Sequence, residues 1–152
     1  MADYYIALAL HLLGATVWVG GHLTLALTIL PRALEQERAS IVSEFEQRFE
    51  RIGLPALAVQ ILTGLWLAEN LLGAPQNWFD DTPTARVVQV KLALLAATVA
   101  LALHARLRVI PALSDETLRT LAWHIRLVTL AAVLLVLAGV SIRFAGYPVF
   151  DR

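Results

Sequence analysis

Four apolar stretches of about twenty residues or more decide what this chain can fold into. They lie at about residues 4–30, 52–70, 87–110 and 116–143. Each is long enough to cross a hydrocarbon core of about 30 Å as an α-helix. Across 152 residues the chain is 59% apolar and 16% charged. Soluble domains usually run ~45–50% apolar and ~25% charged. A soluble domain of this size could not hide so much apolar surface. The expected fold is all-α: an integral membrane four-helix bundle of antiparallel up-down topology, forming a single transmembrane domain over residues 1–152. The first stretch is not read as a cleavable signal, because no basic region precedes it and the apolar run is too long.

The linkers are short, so consecutive helices should be antiparallel neighbours. Residues 33–50, with Glu35, Glu37, Arg38, Glu44, Glu46 and Arg48, read as an amphipathic segment lying at the interface. The second linker carries Gly73, Pro75, Asp80, Asp81 and Pro83, which break regular structure. Trp78 and Phe79 beside them suit the headgroup level. Pro111 stops the third helix. Ser114-Asp115-Glu116 reads as an N-cap with first-turn acids opening the fourth.

Basic residues set the orientation. Linkers one and three share one side and hold Arg32, Arg38, Arg48, Arg51, Arg106, Arg108 and Arg119. The other side has Arg86, Arg143 and Arg152. The positive-inside bias puts linkers one and three in the cytoplasm and both termini outside. A bacterial inner membrane with periplasmic termini is the expected setting. The formal net charge is zero, which gives nucleic-acid binding no electrostatic support. There is no Cys, so disulfides and thiolate metal sites are excluded.

Ionisable groups inside a bilayer are costly, and usually face the bundle interior with a partner. His11 and His22 sit about three helical turns apart on one face of the first helix, roughly 16 Å along its axis. Gly14, Ala15 and Trp18 share that face, and small residues allow close approach. By depth, His22, His104 and His124 gather toward the cytoplasmic end, and His11 with Lys91 toward the outside. Imidazole suits haem iron, copper and zinc. Paired histidines on facing bundle helices are one way to hold haem b. Arg51, Arg106, Arg108 and Arg126 lie at the same end as the trio, where a guanidinium can pair with a haem propionate. Lys91 suits proton relay or an anionic anchor. Gln60, Thr63 and Thr98 read as interhelical hydrogen bonders.

The stretch His11-Leu-Leu-Gly-Ala-Thr-Val-Trp18-Val-Gly20-Gly21 resembles the first helix of the CopD-like (copper resistance protein D) membrane proteins. Arg48-Phe-Glu-Arg51-Ile-Gly-Leu-Pro55-Ala56, continuing to Thr63-Gly64-Leu-Trp66-Leu, resembles their second helix. The latter is also similar to the related HemJ-type protoporphyrinogen oxidases, and Val90-Lys91-Leu92 followed by His104 and Arg108 resembles the third helix of both. The HemJ likeness implies a haem b protein in which His11 and Lys91 take the functional positions. The CopD likeness implies copper uptake or tolerance. The chain departs from the HemJ pattern in helix four, which reads Trp123-His124-Ile125-Arg126-Leu127-Val128 where an Asn-Glu-x-Pro-like segment is expected, and His22 is a further addition.

Three functions are therefore carried forward. The favoured one is a haem b redox protein, for electron transfer or as a membrane oxidoreductase, with one or two haems. A bis-His site would come from His22, His104 and His124, and His11 with Lys91 would serve a second haem or the catalytic step. Copper handling through His22, His104 and His124 is the alternative, and a HemJ-like protoporphyrinogen oxidase the third. Expected partners are the lipid bilayer, a quinol, porphyrin or soluble redox partner, and a second copy in a homo-oligomer.

Overall fold

A computed structural model describes residues 1–142. Arg143 and Arg152, used above for orientation, lie outside the described residues, as does the last residue of the expected fourth helix.

Four helices are long and apolar enough to cross a membrane: α1 (Ala2–Glu35), α2 (Ala39–Leu72), α3 (Pro83–Val109) and α4 (Leu118–Ile142). No strand is present among the described residues. Large apolar side chains such as Leu13, Leu27, Leu62, Leu103 and Leu137 point outward, as lipid-facing residues should. Packing is uneven. α1 lies mainly against α2 and α3 mainly against α4, while α1 meets α4 to join the two hairpins and α2 barely touches α3.

The boundaries differ from the sequence expectation at the end of the bundle that carries linkers one and three. Residues 33–50 do not form a separate interfacial helix. α1 continues to Glu35, and α2 starts at Ala39 and runs unbroken for 34 residues. At 1.5 Å per residue that is roughly 50 Å, well beyond the membrane core. The amphipathic stripe explains the difference. Val42, Phe45 and Phe49 occur at helical spacing and turn toward α1, so the apolar face is consumed by the bundle rather than by headgroups. A core of Leu25, Leu30, Ala33, Val42, Val109, Leu118, Leu121 and Ile125 forms where all four helices meet at the end carrying linkers one and three.

Two positions show how closely α1 and α2 approach. A methyl group on Gly14 would stand 2.8 Å from the Ala56 carbonyl oxygen, and one on Gly21 would overlap the Phe49 ring. Pro55 is accommodated inside α2. The helix ends at Gly73, whose φ of +76° suits a residue without Cβ. A 3₁₀ turn over Pro75–Phe79 then leads to α3, which Thr82 caps by accepting from the Ala85 N–H at 3.2 Å.

Ser114 and Asp115 do not share the opening of α4 as the sequence suggests. Ser114 and Thr117 bond reciprocally in the turn before it, the Ser114 N–H reaching Thr117 Oγ1 at 2.8 Å. Asp115 instead accepts the Ala39 N–H at 2.8 Å and so caps α2, a helix 76 residues away in sequence. Each of α1 and α3 also widens into a π turn toward its C-terminal end, over Leu25–Ile29 and Ala105–Val109.

Candidate histidine sites in the bundle

The four histidines are distributed over three places. His11, on α1, donates from Nδ1 to the Gln60 carbonyl at 2.9 Å, with Thr63 Oγ1 at 3.2 Å. The Gln60 oxygen can only accept, so its partner nitrogen carries the proton and Nε2 keeps its lone pair; this tautomer follows from the bonding network. Gly64 lies under the ring, and a methyl group there would stand 2.9 Å from Cε1. Lys91 Nζ lies beside Gly139 of α4, 3.5 Å from where a methyl group there would stand.

The inner trio does not come together. His22 donates from Nδ1 to the Trp18 carbonyl at 2.9 Å. Its ring lies 4.4 Å from the Trp18 ring and edge-on to Phe49 at 5.7 Å. Thr129 Oγ1 donates to the His22 carbonyl at 3.2 Å, which fixes His22 level with Thr129. Thr129 is five residues beyond His124, about 7–8 Å deeper along the axis of α4. His22 therefore sits too deep, and too enclosed by aromatic rings, to share a ligand with the other two. Among the described residues no group of three or more His, Asp or Glu is placed to hold a metal ion.

His104 and His124 meet directly across α3 and α4. Nδ1 of His104 lies 2.9 Å from Nε2 of His124. The ring centroids are 5.0 Å apart and the planes within 15°. Rings so nearly parallel, with nitrogens so close and centroids so far apart, stand edge to edge rather than face to face. His124 Nδ1 donates to the Thr120 carbonyl at 3.0 Å, so its Nε2 must accept and His104 must donate. This dyad is toward the C-terminal end of α3, at the start of the π turn. His104 is exposed and His124 half-buried.

The arginines form no single cradle. Arg51 lines a shallow groove with Gln47, Glu50, Leu54 and Pro55. Arg106 pairs with Glu50, tying α3 to α2. Arg126 stacks over Trp123 at 5.5 Å, and Arg108 is exposed. Thr63 fulfils the interhelical role expected of it, whereas Thr98 bonds within its own helix to Leu94. Gln60, expected to hydrogen-bond between helices through its side chain, instead has Oε1 buried without a partner, and Trp18 Nε1 is likewise buried without one. Phe49, which covers Gly21 and His22, could have been found from its helical spacing with Val42 and Phe45.

A family model described as Copper resistance protein D matches residues 43–142, more than half of the chain. The matched span contains Lys91, His104 and His124 and leaves out His11 and His22. No curated protein and no solved structure matches the chain.

Proposed function

Because this chain belongs to the copper resistance protein D family, we propose that it is a copper-handling membrane protein that binds the metal on histidine and serves copper tolerance. The contact between His104 and His124 carries this reading. Two imidazoles on neighbouring helices present facing nitrogens within the family-matched region, and imidazole is a ligand suited to copper. We place it in a bacterial inner membrane with the dyad toward the cytoplasm, in keeping with the arginines around it. The test is the copper content of purified protein from copper-supplemented cells, with growth on copper compared for cells with and without the protein. Stoichiometric copper and a growth advantage are expected. A metal-free preparation and unchanged growth would remove the reading.

A haem b redox protein is the second reading, favoured by His11. Its Nδ1–H is tied to a backbone carbonyl, its Nε2 is left to bind, and Gly64 and Gly14 thin the helix faces beside it. A hydrogen bond from the ring nitrogen that does not bind is common for metal-bound histidine and fixes the ring's orientation. Lys91 would take a propionate or a proton, and protoporphyrinogen oxidation is the enzymatic form of this idea. The inner histidines support it less: His104 and His124 touch, leaving no slot for a macrocycle between them. A red preparation with a Soret band that is lost in His11→Ala would establish this reading. Colourless protein after haem supplementation would end it.

A further inference from the structure

We infer that the His104–His124 dyad is a two-coordinate site selective for Cu(I), in which the metal takes the place of the proton now shared by the two nitrogens. The inference rests on the copper reading and adds the ligands, the oxidation state and the exchange chemistry.

Geometry makes the first part of the case. The rings stand edge to edge, nearly coplanar, with Nδ1 of one facing Nε2 of the other at 2.9 Å. Two metal–imidazole bonds of about 2.0 Å each need the nitrogens near 4 Å apart. A separation of about 1 Å therefore converts a hydrogen bond into a linear N–metal–N bridge. The Ala105–Val109 π turn follows His104 directly, and a π turn is where a helix absorbs such an adjustment. His124 is already oriented for coordination. Its Nδ1–H is held by the Thr120 carbonyl, which aims the Nε2 lone pair at His104.

Ligand count supplies the second part. No third His, Asp or Glu joins the dyad among the described residues. Zinc wants four ligands in a tetrahedron, and Cu(II) a tetragonal set of nitrogen and oxygen. A linear pair suits a d¹⁰ monovalent ion. The chain has no Cys and a single Met, at position 1, so sulfur does not compete for it. Charge agrees. Arg106 is paired with Glu50, and Arg108 and Arg126 lie on the same two helices within four residues of the dyad. Their field penalises a divalent ion more than a monovalent one.

The exchange balances without an added acid or base. Copper forms bonds to His104 Nδ1 and His124 Nε2, and the hydrogen bond between them is lost. The proton leaves Nδ1 of His104 and one is carried on its exposed Nε2, so the ring stays neutral and no net proton is released. Copper stays monovalent throughout.

The test uses full-length protein in detergent or nanodiscs, titrated anaerobically with Cu(I) against bathocuproine disulfonate. One Cu(I) per chain is expected, with the X-ray absorption edge of a two-coordinate, nitrogen-ligated ion. His104→Ala and His124→Ala should each weaken binding by more than the roughly 10–100-fold that losing a supporting hydrogen bond costs. His22→Ala should not. On wild-type protein, Cu(I) should shield His104 and His124 from carbethoxylation by diethyl pyrocarbonate, a readout that needs no variant to fold. Copper binding that survives both dyad substitutions would overturn the assignment while leaving copper handling intact. Zn(II) or Cu(II) held as tightly as Cu(I) would overturn the selectivity. Absence of any bound copper would sink both this and the broader reading.

Discussion

Gly20 and Gly21 are neighbours in sequence with opposite surroundings. A methyl group on Gly20 meets nothing within 4 Å, whereas one on Gly21 overlaps a Phe49 ring wedged among Trp18, His22 and Phe45. Gly→Ala inside a helix gains up to about 1 kcal/mol in propensity, and overpacking a filled site costs about 1–3 kcal/mol. Gly20→Ala is therefore expected to leave thermal stability unchanged or raised. Gly21→Ala should be lower than Gly20→Ala by about 1–3 kcal/mol, read from unfolding in detergent. Equal stabilities would show that Phe49 moves freely. The sequence makes the small face of α1 legible through the spacing of Gly14, Trp18 and Gly21. It does not identify what fills that face, because Phe49 lies on another helix whose rotation no local pattern fixes. The same limit applies to the histidines. Depth was readable from helix direction, and it brought His104 and His124 together. Depth within a turn or two was not, and that is what separates His22.

At the scale of the helices, the ends of α2 illustrate two kinds of stop. Gly73 is a local signal and could be read directly. The start at Ala39 depends on Asp115, which reaches it from the far side of the bundle. Asp115→Ala should cost about 1 kcal/mol, as loss of an N-cap does. The loss should appear as faster amide exchange in the first turn of α2, with α4 unaffected. Faster exchange at the start of α4 instead would return Asp115 to that helix. The Glu50–Arg106 pair joins α2 to α3 where those helices otherwise have little contact. Both side chains are well exposed, so Glu50→Gln should change overall stability by less than about 1 kcal/mol. A larger loss would mean that this pair holds the seam closed.

For the whole molecule, the apolar periodicity and low charge of the chain already dictate four spans, because nothing else can shelter such runs. The overshoot of α2 beyond the membrane was not legible. A charged amphipathic stripe looks the same whether it rests on headgroups or folds back on a partner helix. Absolute orientation is open to a clean test, since the chain contains no Cys of its own. A single Cys at Gln76 should react with a membrane-impermeant maleimide added to intact cells. A Cys at Glu37 or Ala112 should react only after the membrane is opened. The reverse pattern would invert the topology and put the His104–His124 dyad on the outside.

The pairing of α1 with α2 and of α3 with α4 has a consequence for how the protein is made. Most contacts of the first hairpin fall within the first half of the chain, so it can insert and zip together while the second half is still being synthesised. Contacts between neighbours in sequence close quickly. Docking of α4 onto α1 is the one long-range step, and it comes last. The inner core and the cap from Asp115 to Ala39 form only then. Assembly thus ends at the membrane face where His104 and His124 meet, and a ribosome-stalled chain lacking α4 would have three spans and no dyad.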